Sequence, residues 1–503
     1  MLNIKKLNNK KIAILGLGLE NLALVKYLLQ HKIKCEITVC DARENIREKI
    51  KGTGLRVKPA MTGLHWRLGK GYDKNLDKFD ILFRSPGWPL DKLGAGPLRK
   101  TSSPMKLFFE LCPTKNIIGV TGTKGKGTTA SLIYEILRAA GKCVWLGGNI
   151  GVAPFEFMDK IKKKDWVVLE LSSFQLEDMT ISPRIAVITN FYSEHLAPAD
   201  PNNPNYHKSL KDYRDAKLNI IKWQGSGNTA VLNYELPASL ASEALRARRI
   251  TNYELNTKAK KIYFKKSELP SKLIGEHNKE NIAAAVEAAK IIGIKSNIIK
   301  KAVANFKGLE HRLELVREYQ GVKYYDDSFA TTPESTIIAL KSFSGSAVIS
   351  SVSEKSLQGG NKKYRGFLPA VEMTNRHIVL LLGGADKGAN FGQLAKEIKK
   401  RCKFVVLLAD KATPRIKKDL QKAGFSENKM KLVNNIKDAV AVARQQANYG
   451  EVILLSTACA SFGMFKNYKE RGNLFKAEVK SLPQLNNFAS GKISARRYLT
   501  GLK

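Results

Sequence analysis

Between residues 117 and 140 an apolar strand, Ile117 to Val120, runs through Thr121-Gly122-Thr123-Lys124-Gly125-Lys126-Gly127-Thr128 into an amphipathic helix that reaches about Ala140. A strand that empties through glycines into a helix start dictates a β-α-β layout, because the helix must return over the sheet. The same turn can aim backbone N–H groups at an anion, at the positive end of the helix dipole. Lys126 would then reach the β- and γ-phosphates of a nucleotide. The ordinary phosphate-loop pattern asks for glycine where Val120 stands and for a hydroxyl where Gly127 stands, so Thr128 is the nearest hydroxyl that could face magnesium. The plainer alternative is a glycine-rich turn with a surface lysine.

A second opening of this kind lies at the N-terminus, with Ile12 to Leu15, the turn Gly16-Leu17-Gly18, a helix to about Gln30 and a strand from Ile37 to Cys40. It keeps two of the three glycines of a dinucleotide fingerprint, with Asn21 in the third place. Asp41, at the end of the next strand, could accept a hydrogen bond from ribose or uracil. A third alternation begins near Gly321, with strands at Val322 to Tyr325, His377 to Leu382, Phe404 to Leu408 and Val452 to Leu455. The prediction is an α/β protein of three domains, each a mostly parallel sheet with helices. Residues 1–103 form a Rossmann-like domain, 104–308 a central phosphate-loop domain and 309–503 a second Rossmann-like domain. The polar, poorly periodic stretch from Ser342 to Asn375 reads as a surface insertion.

Composition excludes several classes. With 43% hydrophobic and 26% charged residues over 503, the chain is neither disordered nor fibrous. Its longest uncharged stretch, Val452 to Phe465, is too short for a membrane helix, and Glu20 ends the apolar run near the N-terminus before a signal peptide could form. A cytoplasmic protein is expected. The six cysteines lack C-x-x-C spacing, so reduced and mostly buried thiols are expected. Lys and Arg number 85 against 45 Asp and Glu, a net +40 that would attract any polyanion. The basic residues are scattered in short clusters such as Lys162 to Lys164, which favours a solvated basic surface over a dedicated nucleic-acid face.

Further chemistry-bearing segments follow the loop. Glu170, in Glu170-Leu171-Ser172-Ser173-Phe174-Gln175-Leu176-Glu177, ends the strand Trp166 to Leu169, where a carboxylate can hold magnesium beside a phosphate loop. His195, in Asn190-Phe191-Tyr192-Ser193-Glu194-His195, follows the strand Ile185 to Ile188 in the same loop layer. Asn278 and Asn281, in Gly275-Glu276-His277-Asn278-Lys279-Glu280-Asn281, lie one turn apart before the helix Ile282 to Ile292 and could face one ligand or cap the helix.

The phosphate loop resembles that of the Mur ligase and folylpolyglutamate synthase superfamily, which joins a carboxylate to an amine through an acyl-phosphate. The Glu170 segment, and Asn149 in Gly147-Gly148-Asn149-Ile150-Gly151, are similar to signatures of the glutamate-adding Mur branch, and the likeness runs from about Lys11 to Phe475. The resemblance implies ATP-dependent addition of D-glutamate to UDP-N-acetylmuramoyl-L-alanine in peptidoglycan synthesis. It puts ATP on Gly122, Thr123, Lys124, Gly125, Lys126, Gly127, Thr128, Asn278, Asn281, Arg312 and Asp327. One or two Mg2+ ions fall to Thr128, Glu170, His195 and Lys217, and Lys126, His195 and Lys217 take catalytic roles.

Lys217, in Tyr213-Arg214-Asp215-Ala216-Lys217-Leu218, matches the family's lysine that carbon dioxide carbamylates. The UDP substrate falls to Leu19, Glu20, Asp41, Arg43, Asn149 and Ser172. The amino acid falls to Thr331, Lys387, Ser461, Tyr468 and Arg471, and domain closure would bring it to the acyl-phosphate. One departure concerns Asp326-Asp327-Ser328-Phe329-Ala330-Thr331, where Phe329 stands in place of the lysine of the family's run and removes a positive charge. Restoring lysine there is expected to tighten the KM for glutamate unless other residues compensate. A monomer without membrane insertion or a specific nucleic-acid partner is expected. The alternatives are another Mur ligase, a folylpolyglutamate synthase or a phosphate-loop nucleic-acid-binding protein.

Overall fold

The computed structural model describes residues 4–51, 64–192, 196, 205–236, 255–343 and 377–483. The chain divides into two compact units, Met1–Leu309 and Glu310–Lys503.

The first unit holds two sheets. One consists of β1 (Lys11–Leu15), β2 (Glu36–Asp41), β3 (Leu64–Leu68), β4 (Ile81–Arg84) and β5 (Thr101–Ser102), all parallel, in the order β3-β2-β1-β4-β5. The other consists of β6 (Ile117–Thr121), β7 (Val144–Gly148), β8 (Trp166–Glu170), β9 (Ile185–Ile188), β10 (Thr229–Asn233) and β11 (Lys260–Phe264), all parallel, in the order β11-β10-β9-β6-β8-β7. Every residue of β6, β8 and β9 is buried, the continuous apolar run of a strand covered on both faces.

On one face of that sheet the helix Lys126–Ala139 buries Leu132, Ile133, Ile136 and Leu137. The helix Glu276–Ile291 lays Ala284, Ala285, Ala288 and Ala289, all fully buried, in the same core, where short side chains let it pack closely. The opposite face shares a core with the first sheet. Tyr27, on the helix Leu19–Gln30, meets Phe155 at 5.0 Å, and Phe155 meets Phe108 at 6.1 Å. Each such ring withdrawn from water contributes about 1.5–3 kcal/mol, and this common core makes two sheets one unit.

The second unit carries β12 (Glu314–Tyr319), β13 (Val322–Asp326), β14 (Ile378–Leu382), β15 (Cys402–Leu408), β16 (Met430–Val433) and β17 (Val452–Leu455), in the order β12-β13-β17-β14-β15-β16. All neighbours are parallel except β12 and β13, which form an antiparallel hairpin. The strands β13, β14, β15 and β17 appear where the apolar runs predicted them, and the parallel edge strand β16, with one buried residue, was not anticipated. The edge strand β12 was not anticipated, because at Glu-Leu-Val-Arg-Glu-Tyr only one residue is buried.

The insertion Ser342 to Asn375 lies largely outside the described residues. Cys40, Cys112, Cys402 and Cys459 are buried and Cys143 is exposed; burial pushes the thiols of Cys40 and Cys112 up to about 11. Among the described residues no helix is long and apolar enough to cross a membrane.

Candidate active site

The phosphate loop sits at the C-terminal end of β6, in the middle of the second sheet. Gly125 caps the helix with φ +83°, and a Cβ there would lie 2.0 Å from the Asn281 Oδ1, so only glycine fits. Gly127 is demanded by a different neighbour, because a Cβ there would lie 2.9 Å from the Glu170 Oε2. The hydroxyl that ordinary loops carry at this place is thus replaced by a close approach of the helix to Glu170.

The loop is braced from β9. Asn190 Oδ1 accepts from the N–H groups of Thr123 and Lys124 at 3.1 and 2.8 Å, and Thr189 Oγ1 donates to the Lys124 carbonyl at 2.6 Å. Lys126 Nζ donates to the carbonyls of Gly122 and Thr123 at 3.0 and 2.9 Å. Lys217, on the helix Leu210–Lys222 and 3% exposed, donates to that same Gly122 carbonyl at 2.8 Å. Its Nζ also lies 4.6 Å over the ring of Tyr213, whose hydroxyl shares a 3.1 Å hydrogen bond with the Thr123 hydroxyl. Two cationic side chains therefore crowd one oxygen, an arrangement that attracts an anion.

Glu170 is 3% exposed and its Oε1 accepts from Asn149 Nδ2 at 2.7 Å. Thr128, half-buried, lies on the turn after Lys126. The donor set of Glu170, the Thr128 hydroxyl and an anionic form of Lys217 has the hard-oxygen chemistry that magnesium takes. His195 lies outside the described residues. Ser172 caps the short helix Ser173–Leu176, accepting from the Gln175 N–H at 3.2 Å.

Asn278 and Asn281 lie inside the helix Glu276–Ile291, which begins earlier than predicted with Gly275 at its cap. Both are buried; Asn281 Nδ2 donates to Asn278 Oδ1 at 2.9 Å, and Asn278 Nδ2 to the Ile274 carbonyl at 2.7 Å. They stand behind Gly125, so their position is that of a brace for the loop.

At the N-terminal turn Asp41, expected to accept from ribose or uracil, is engaged by the chain itself. It accepts from the Leu17 N–H at 2.7 Å, the Arg43 N–H at 2.9 Å, and Arg43 Nε and Nη2 at 2.9 and 2.7 Å. Burial would raise its carboxyl, but Arg43 and these N–H groups outweigh that and hold it below the ordinary value. Asn21 fills the third glycine position by donating to the carbonyls of Gly16 and Phe83 at 2.7 and 3.2 Å. Leu19 is 79% exposed. Glu20 accepts from Gln175 Nε2 across to the second sheet, and burial pushes its carboxyl up to about 7 against the Gln175 hydrogen bond and the Arg84 charge.

Arg84 and His207 were not foreseen as parts of the site. Arg84 is 1% exposed and donates to the Phe174 carbonyl at 2.7 Å and Asp178 Oδ1 at 3.1 Å, tying β4 to the segment after Glu170. His207 stacks on Phe174 at 4.7 Å and shares a 3.0 Å hydrogen bond with the Ser173 hydroxyl. A basic residue ending an apolar strand was the only signal for Arg84, and His207 had none.

In the second unit Asp327 follows β13. Burial pushes its carboxyl up to about 7, although the Ser456 hydroxyl donates to it at 2.8 Å and the Leu313 N–H at 3.2 Å. Arg312 lies 3.7 Å from the ring centroid of Phe329. Lys387 is exposed, 5.3 Å from the Phe462 ring, while Ser461 is buried and Tyr468 and Thr331 are half-buried.

Arg471 was expected at the amino acid. It is fully buried, and Nε, Nη2 and Nη1 donate to the Ser328 hydroxyl, the Ser328 carbonyl and the Cys459 carbonyl at 2.9, 2.7 and 3.2 Å. Burial pulls the guanidinium down to about 10. It ties two loops together. The cluster His311, Glu314 and Asp326 has metal-ligand spacing, but Lys476 donates to Glu314 at 3.2 Å and supplies the cation.

Comparison with known proteins fits this geometry. The sequence pattern of the Mur ligase middle domain matches residues 120–289, and that of the Mur ligase glutamate ligase domain matches residues 366–459. A protein of Acetivibrio thermocellus named UDP-N-acetylmuramoylalanine--D-glutamate ligase is 36% identical, over 95% of this chain and 98% of its own. The chain belongs to the Mur ligase family.

This Mur ligase also shares 34% identity with the protein of the same name from Clostridium botulinum, over 94% of this chain and 97% of the relative. Its fold is shared with the Thermotoga maritima UDP-N-acetylmuramate-alanine ligase MurC, at TM-score 0.52 and 17% identity over 94% and 100% of the two chains. The middle-domain match of this Mur ligase contains the phosphate loop, Asn149, Glu170, Lys217 and the asparagine pair.

Proposed function

We propose that this ATP-dependent Mur ligase joins D-glutamate to UDP-N-acetylmuramoyl-L-alanine, in peptidoglycan synthesis. The name carried by relatives over nearly the full chain supports the substrates. The observation that carries the chemistry is the meeting of Lys126 and Lys217 on the Gly122 carbonyl beside buried Glu170. The alanine carboxylate attacks the γ-phosphate, ADP leaves and an acyl-phosphate forms. The glutamate amine then attacks the acyl carbon and phosphate departs. Lys126 offsets charge developing on the transferred phosphoryl group and is drawn from the loop carbonyls onto the nucleotide.

Glu170, Thr128 and Lys217 would hold magnesium, which supplies charge neutralisation between the phosphates when bound. For Lys217 the proposal includes carbamylation. A neutral amine adds carbon dioxide to give a carbamate with loss of a proton, which replaces the cation crowding Lys126 by an anion. Asn149 holds Glu170 in place for this task. The expected compartment is the cytoplasm, where ATP and nucleotide sugars are available, and a monomer suffices.

The test is phosphate release from ATP with UDP-N-acetylmuramoyl-L-alanine and single amino acids. Release should depend on D-glutamate; dependence on another amino acid, or on nucleic acid, overturns the proposal. Carbamylation adds a second expectation, that enzyme held in carbon-dioxide-free buffer loses activity and regains it with bicarbonate, while Lys217→Ala does neither.

A further inference from the structure

The turn Ser85-Pro86-Gly87 follows β4 and lies against the glycine turn after β1, where the strand order of the first sheet reverses. A Cβ on Gly16 would lie 2.6 Å from the Ser85 Oγ, and the Ser85 N–H donates to the Leu15 carbonyl at 2.9 Å. The crevice outside the carboxyl ends of two such strands is where an open parallel sheet takes a ligand. The same turn is held from the second sheet as well. Arg84, immediately before it, donates to the Phe174 carbonyl at 2.7 Å. His207 stacks on the Phe174 ring with the planes 3° apart and shares its hydrogen bond with the Ser173 hydroxyl. Asn205, 6% exposed, completes the circuit: its Nδ2 donates to the Pro86 carbonyl at 2.5 Å.

Two residues beyond His207, Ser209 caps the helix Leu210–Lys222, its hydroxyl accepting from the Asp212 N–H at 3.1 Å. One turn into that helix the Tyr213 hydroxyl meets the Thr123 hydroxyl at 3.1 Å, and one turn further Lys217 meets the Gly122 carbonyl at 2.8 Å. A helix shifts as a rigid element, so the placing of its first turn sets both contacts with the phosphate loop. We infer that residues 205–209 are a strut between the two glycine turns, with Asn205 as its positioning residue. A substrate seated on Ser85-Pro86-Gly87 fixes the Pro86 carbonyl, and Asn205 passes that constraint through Ser209 to Tyr213 and Lys217. The inference rests on the ligase proposal above for the two ligands, the nucleotide sugar at the first turn and ATP at the second. By linkage each ligand then strengthens binding of the other by one and the same factor.

The test uses the full-length enzyme with Mg2+ and bicarbonate. Calorimetry gives the affinity of adenylyl imidodiphosphate with and without saturating UDP-N-acetylmuramoyl-L-alanine, at a temperature where every variant is shown to be folded by its melting curve. Wild type should bind the analogue about fivefold more tightly, or better, with the nucleotide sugar present. Asn205→Ala, and Asn205→Asp, which keeps the shape but cannot donate, should bring that ratio below about twofold while the affinity for the analogue alone holds. Lys208→Ala removes an exposed 2.8 Å ion pair with Asp91, a second tie between the same segments, and should leave the ratio as in wild type.

A wild-type ratio near one, or Asn205 variants with the wild-type ratio, overturns the inference. Asn205 variants that lose affinity for the analogue alone in the same proportion overturn it too, because Asn205 would then serve the phosphate loop only as scaffold. A Lys208→Ala ratio as low as that of Asn205→Ala overturns it by spreading the coupling over the whole seam. Failure of the wild type to release phosphate in response to D-glutamate would overturn the ligase proposal; release that responds to D-glutamate with a ratio near one overturns this inference alone.

Discussion

Among the described residues, burial pushes the carboxyls of Glu20 and Asp327 up to about 7. For a carboxyl raised in the folded state, the native form binds more protons than the unfolded chain between the two values. Stability therefore falls as pH rises from about 4.5 toward 7 and is flat beyond. Glu20→Gln keeps a hydrogen-bonding partner for Gln175 and removes this titration. The variant should match the wild type in thermal stability near pH 4.5 and exceed it at pH 8. Equal melting temperatures at both values, measured by circular dichroism, would show that Glu20 reaches solvent. Arg84 belongs to the same cluster, so its replacement by Met should lower stability at all pH values by leaving Asp178 without its cation.

Among elements, the helix Lys126–Ala139 has the most constrained start. Its first turn must pass Asn281 on one side and Glu170 on the other, which is why Gly125 and Gly127 both lack side chains. Gly127→Ser would restore the hydroxyl that ordinary phosphate loops carry, yet its Cβ would lie 2.9 Å from Glu170 Oε2. The substitution should lower ATP-dependent phosphate release by an order of magnitude or more and displace Glu170 from Asn149. A Ser variant as active as wild type would mean that the helix can retreat from β8 at little cost. The helix Glu276–Ile291 serves the same turn from behind through its buried asparagine pair.

At the scale of the whole molecule the charge dominates. A formal net charge of +40 makes the compact state repel itself, and screening relieves that repulsion over about 10 Å at 0.1 M salt. Raising sodium chloride from low to moderate concentration should therefore increase the melting temperature, the reverse of what a fold held by its surface ion pairs would show.

Much of the architecture was legible before folding, because the strands of the parallel sheets are apolar runs and the loops between strand and helix are glycine-rich. Glu170 and Lys126 were singled out from their places at a strand end and a helix start, and Lys217, inside its helix, from the family resemblance alone. The chain partners of Asp41 and Arg471 were not legible, since nothing in a residue's type tells which neighbouring loops its polar atoms meet. Arg84 and His207 escaped notice for the same reason, their partners lying far along the chain at Phe174, Asp178 and Ser173.

By itself, then, the sequence determined the α/β class, the phosphate loop and the membership of a ligase family, because local periodicity and short glycine patterns encode them. Only the tertiary structure decided that Lys126 and Lys217 share one carbonyl, that Gly127 leaves room for the Glu170 carboxylate, and that Arg312 lies on Phe329. Those relations join residues distant along the chain, and packing of the folded chain sets them.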